Sequence, residues 1–91
     1  MKVVINKCYG GYSLSEEAYK ELGISWDTYG FEYLDDRTNP ELIAMIEKIG
    51  VEVASGRSAC LEVVNIPDGT EWYIDEYDGF EEVHEQHRKW G

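Results

Sequence analysis

Hydrophobic positions along this chain change period several times, and each change marks an element. Lys2-Val3-Val4-Ile5-Asn6-Lys7 is short and β-branched, which predicts a strand. Cys8-Tyr9-Gly10-Gly11-Tyr12 breaks it, because adjacent glycines mark a sharp turn. Ser13-Leu14-Ser15-Glu16 fits a capping box, so a helix is expected from Ser13. Leu14, Ala18 and Leu22 recur every four residues as its apolar stripe, and Gly23 ends it. Residues 24–38 are aromatic without one clean period. Phe31–Leu34 is compatible with a short extra strand, and Asp35-Asp36-Arg37-Thr38 reads as a polar turn. Asn39-Pro40-Glu41 opens a second helix, with Asn as N-cap and Pro at the first helical position. Leu42, Ile43, Ile46 and Ile49 are its buried face, and Gly50 stops it.

The run Val51–Ala54 is brief, and Ser55-Gly56-Arg57-Ser58 reads as a turn. Cys60–Ile66 is the clearest strand. Pro67-Asp68-Gly69-Thr70 is turn chemistry, so a hairpin to Glu71–Tyr77 is expected. Trp72 and Ile74 then share one face; Tyr73, Asp75 and Tyr77 share the other. Asp78-Gly79-Phe80-Glu81 resembles another capping box. It predicts a final helix carrying Phe80, Val83, His87 and Trp90 on one side, with Arg88 and Lys89 at its end. The expected order is β-α-α-β-β-α. That is an α+β fold, a small mostly antiparallel sheet with two or three packed helices, in a single domain over residues 1–91.

Length makes the core matter. A chain of 91 residues buries only roughly 60–65% of the surface it exposes unfolded. Its 13% aromatic share offsets that, since each large ring buries much area. Homo-oligomerisation is another route by which so small a domain gains buried surface. The net charge of −11 argues against non-specific contact with nucleic acid or an anionic membrane. It is compatible with plain solubility, or with an acidic surface that imitates nucleic acid toward a basic partner. No stretch approaches a membrane span, and the first apolar run is too short for an export signal. The expected setting is the cytoplasm, with Cys8 and Cys60 as reduced thiols; a disulfide needs two strands to bring them together.

The strand–turn–helix junction carries the most suggestive chemistry. Glycines let backbone approach a ligand closely, and amides before a helix attract anions. Lys7, Tyr9, Gly10, Gly11, Tyr12 and Ser13 form this candidate ligand loop, although it matches neither GK[ST] nor GxGxxG. Arg57 could fork onto a phosphate from its small-residue turn, or make an ordinary salt bridge. Tyr9, Tyr12, Tyr19, Trp26, Tyr29, Phe31 and Tyr33 offer rings for stacking a base, or simply core. His84 and His87 are three apart beside Glu81 and Glu85, yet no third metal ligand follows from the sequence. Cys8 with a histidine, or the acid pairs Asp75/Asp78 and Glu71/Asp75, are the enzyme-like arrangements; neither comes with an orienting group. No catalytic residue, cofactor or metal is expected.

The start Lys2–Gly11 with Tyr12-Ser13-Leu14-Ser15 resembles a family of short, mostly uncharacterised bacteriophage and prophage proteins. Arg37-Thr38-Asn39-Pro40-Glu41-Leu42, Ala54-Ser55-Gly56-Arg57, Trp72–Gly79 and His87-Arg88-Lys89-Trp90 continue the likeness. The resemblance implies an accessory phage protein acting inside an infected bacterium, where such proteins often block host defence. The expectation is therefore a non-catalytic anti-defence binding protein that sequesters a small nucleotide-like host signal or binds a host defence protein. The alternatives are an acidic nucleic-acid mimic directed at a basic host protein, and a small hydrolase or metal enzyme.

Overall fold

A computed structural model describes residues 1–85. Seven elements follow one another: β1 (Lys2–Asn6), α1 (Glu16–Leu22), α2 (Pro40–Ile49), α3 (Val51–Ala54), β2 (Leu61–Asn65), β3 (Trp72–Tyr77) and β4 (Phe80–Glu85). The α+β class is as expected. The sheet is not one but two antiparallel pairs, β1 with β2 and β3 with β4.

β1 lies between two cores because its side chains alternate. Val4 faces one side, among Leu14, Ala18, Tyr19, Leu42, Met45, Ile46 and Leu61. Val3 and Ile5 face the other, with Ile66 and the half-buried Val64, Trp72, Ile74 and Val83. The molecule is thus layered as helices, β1–β2 ladder, β3–β4 hairpin. Each fully buried Val, Ile or Leu in these layers contributes about 1.5–3 kcal/mol.

α2 forms where its caps predict. Asn39 Oδ1 accepts the Glu41 amide at 2.8 Å, and Pro40 opens the helix. α1 starts later than expected. Ser15, not Ser13, is the N-cap, its Oγ accepting the Ala18 amide at 3.0 Å. Ser13 is held elsewhere, its carbonyl accepting the Gly56 amide at 2.9 Å, and Leu14 bridges to Ser55. No strand forms at Phe31–Leu34. Turns follow instead, with Leu34 N–H on the Phe31 carbonyl and Asp36 N–H on that of Tyr33. The brief Val51–Ala54 run is one helical turn.

Two other expectations are corrected. Pro67–Thr70 does not close a hairpin; it carries the chain from one sheet to the other, because β2 pairs with β1. The expected final helix is a strand through Glu85. Asp78 and Gly79 both take positive φ, 51° and 88°, between the paired Tyr77 and Phe80. That is the two-residue loop favoured by Asp-Gly in hairpins. The same four letters spell a capping box, and the long-range partners of Val83 and Glu81 decide for the strand. His84 accordingly sits on β4, stacked at 5.5 Å on Tyr73. His87, Arg88, Lys89 and Trp90 lie outside the described residues.

An ion pair seals the far edge of β1. Arg37 and Glu81 are both buried, with guanidinium–carboxylate contacts of 2.7 and 2.8 Å. Arg37 NH1 also donates to the Val4 carbonyl, and the Val4 amide donates to the Arg37 carbonyl at 2.9 Å. Glu81 Oε1 accepts the Asn6 amide at 2.8 Å. The Val4 amide and carbonyl and the Asn6 amide, which β2 leaves unpaired, are therefore satisfied by one arginine and one glutamate. No helix among the described residues is long and apolar enough to cross a membrane.

Candidate functional site

Three loops converge on one side of α1. The Leu14 amide donates to the Gly30 carbonyl at 2.8 Å, tying the glycine loop to the aromatic loop. The Gly56 amide on Ser13 ties in the Ser55–Ser58 turn. Between them lies a cleft of about 610 Å³, within the ordinary range for small-molecule sites.

Asp27 shapes the aromatic wall. Its Oδ1 accepts the amides of Tyr29 at 2.9 Å and Gly30 at 2.5 Å. Its Oδ2 accepts the Tyr19 hydroxyl at 2.7 Å and the Phe31 amide at 3.3 Å. Burial works against the Asp27 carboxylate, but the Gly30 amide, the Tyr19 hydroxyl and the other two amides outweigh it. Its pKa is held below the usual carboxylate value. Tyr19 responds oppositely: burial, then the bond to Asp27, pushes its phenol up to about 12. The loop so held presents Tyr29 and Phe31 as a stacked pair, centroids 5.8 Å apart and 14° from parallel. Trp26 meets Tyr19 edge-on at 4.9 Å. Tyr29 is 69% exposed and Phe31 50%, a large aromatic area left open to the cleft.

Arg57 also lines the cleft and is exposed. Lys2, Lys20, Arg37 and Lys48 each have a carboxylate partner, and Lys7 lies over the Phe80 ring at 4.7 Å. Among the described residues Arg57 is the one cationic side chain with neither. Glu16 also lines the cleft, so the site offers one cation and one carboxylate besides its rings and the Ser13 and Ser58 hydroxyls.

The candidate loop residues divide. Gly10, Tyr12, Ser13 and Arg57 line the cleft, with Gly11 beside them. Lys7 and Tyr9 do not. They turn to the hairpin, where Tyr9 meets Phe80 at 5.4 Å and borders a separate groove with Asp75, Tyr77 and Glu82. Tyr12 is mostly structural. It is 5% exposed, its hydroxyl donates to the Glu32 carbonyl at 2.9 Å, and the Arg37 guanidinium covers its ring at 3.9 Å. Burial raises its phenol pKa far above the ordinary value, against the pull of Arg37. Gly10 is a packing glycine, since a Cβ there would strike the Ser58 carbonyl. Gly11 faces open space but has φ 87°, which disfavours any side chain.

Glu16 and Ser58 line the cleft and Asp27 braces its aromatic wall from behind; none of the three is among the candidate residues read from the sequence. Asp27-Thr28-Tyr29-Gly30 is the available signal, an Asx-type turn before an aromatic pair. No group of three His, Cys, Asp or Glu able to hold a metal ion occurs among the described residues. No protein-family model matches the chain, and neither a curated protein nor a solved structure matches it.

Proposed function

We propose that the protein binds a small nucleotide-like ligand in this cleft and acts by stoichiometric sequestration, without catalysis. The observation that carries the reading is Arg57, without a partner among the described residues, lining a cleft that exposes the stacked Tyr29–Phe31 pair. A base stacks on the rings, at about 1–3 kcal/mol per base. A phosphate takes the guanidinium fork of Arg57, and the Ser13 hydroxyl adds a donor. The Glu16 carboxylate suits ribose hydroxyls or an exocyclic amine. The phage-like resemblance supplies the setting, an infected bacterial cytoplasm in which withdrawing such a signal blunts host defence.

Calorimetric titration against a panel of mono- and cyclic dinucleotides tests this. R57A should weaken binding by about 10- to 100-fold, the loss of a hydrogen-bonded charge of ~1.5–3 kcal/mol. K7A and Y9A should leave affinity unchanged, because both side chains face the hairpin. An R57A protein that binds as the parent does would overturn the assignment.

A second reading rests on the hairpin. Asp75, Glu76, Asp78 and Glu82 are all exposed there beside Tyr77, in a chain of net charge −11. An acidic mimic of nucleic acid would use that face to bind a basic host protein. Its mark is a complex that weakens steeply with added salt and ignores nucleotides.

A further inference from the structure

The β1–β2 ladder brings together two cysteines that are far apart in sequence. The Lys7 amide donates to the Cys60 carbonyl at 2.8 Å, so Cys8 leaves the sheet beside Cys60. The Asn6 carboxamide holds both residues. Its Oδ1 accepts the Cys60 amide at 2.7 Å and lies 3.5 Å from the Cys8 sulfur. Asn6 itself is buried and fixed, its Nδ2 donating to the carbonyls of Cys8 and Gly79. Neither sulfur is bonded; Cys60 is exposed and Cys8 half-buried, so a small reagent reaches the pair.

The two thiols differ. Burial opposes ionisation of Cys8, but the Cys60 thiol and the Gly10 and Cys60 amides bring its pKa below the ordinary value. Cys60 is pushed the other way, first by the Cys8 thiol and then by burial. In the switch proposed below Cys8 is given the attacking role and Cys60 the resolving one. The Cys8 thiol also donates to the Ser58 carbonyl at 3.1 Å. That carbonyl is the atom against which Gly10 packs, and both residues line the cleft.

We propose that Cys8 and Cys60 are a thiol–disulfide switch that exchanges with small disulfides and, on closing, shifts the Ser58 wall of the cleft. The Cys8 thiolate attacks one sulfur of the small disulfide, forming a mixed disulfide and releasing one small thiolate. Cys60, losing its proton to solvent, attacks the Cys8 sulfur and releases the second. Two protein thiols are oxidised and one small disulfide is reduced to two thiols. Cys8 then has no proton to give the Ser58 carbonyl, and the wall loses that hydrogen bond. The switch stands whether or not the cleft takes a nucleotide.

The test treats the reduced protein with oxidised glutathione at neutral pH, blocks remaining thiols, and reads intact mass and peptide links. The expected product is a monomer lacking two hydrogens, with Cys8 joined to Cys60, carrying no glutathione and restored by dithiothreitol. C60S should keep one glutathione on Cys8, and C8S should react more slowly at Cys60 than C60S does at Cys8. The Ala59 amide, which donates to the Gly56 carbonyl at 3.0 Å, should exchange with deuterium faster in the oxidised protein. A stable mixed disulfide on the parent protein, or linked dimers, would overturn the switch. Unchanged exchange at Ala59 would overturn its coupling to the cleft.

Discussion

Replacing Glu81 by alanine removes an acceptor that three donors use at once. Its Oε1 takes Arg37 NH1 and the Asn6 amide, and its Oε2 takes Arg37 NH2. E81A therefore strands a buried guanidinium and a buried amide together. Breaking a buried ion pair from one side costs about 3–5 kcal/mol, and an orphaned buried amide about 1–3 kcal/mol. These losses overlap, because Arg37 shifts toward its remaining carbonyl partners at Leu34 and Val4. A total of ~4 kcal/mol is expected. A domain of this length has roughly 5–14 kcal/mol of stability, so more than a quarter is lost. In urea, with an m value of about 1–3 kcal/mol/M, the midpoint should fall by ~2 M. The swap R37M/E81L removes both charges and should recover part of the loss, leaving the cost of the Asn6 amide and of the Val4 and Leu34 carbonyls. A midpoint fall in E81A below about 0.5 M, or a double variant weaker than E81A, would refute the account of how β1 is sealed.

Other perturbations separate the glycines and the aromatic wall. G10A should destabilise more than G11A in thermal unfolding. The first meets the Ser58 carbonyl, while the second costs only the left-handed backbone, about 1–2 kcal/mol. Because Asp27 is held below its unfolded pKa, its contribution is complete above the unfolded value of about 3.9 and lost as pH falls through the folded value. Protection of the Tyr29–Phe31 amides, measured against their intrinsic exchange rate at each pH, should fall on acidification through that window. D27N should show fast exchange at neutral pH and no such step.

What could be read from the sequence was local. Asn39-Pro40 fixes the start of α2 whatever surrounds it, and the β-branched run 2–7 is a strand by composition. Ser13 and Ser15 both suit a cap, and the choice falls to Ser15 only because Ser13 is bound to Gly56, far along the chain. Asp78–Glu81 fails for the same kind of reason. Its letters serve a cap or a hairpin, and pairing of Ile74 with Val83 together with Arg37 on Glu81 selects the hairpin. At the cleft, Gly10, Ser13 and Arg57 were legible as small or cationic loop residues. That Lys7 and Tyr9 turn away depends on Phe80, which only the fold puts beside them.

The sealing of β1 also sets an order of assembly during synthesis. Val3, Val4 and Ile5 are made long before Leu61–Asn65, which pair with them, and before Glu81, which closes their other side. Until then the strand is an apolar template with two open edges, the kind of segment that recruits other chains. Such distant pairings also fold slowly, since the loop must close before any contact rewards it. The helices made in between, α1 and α2, are the first surfaces available to cover Val4. A chain truncated before Glu81 would keep one edge of β1 open, and its yield in the soluble fraction would report the price of waiting.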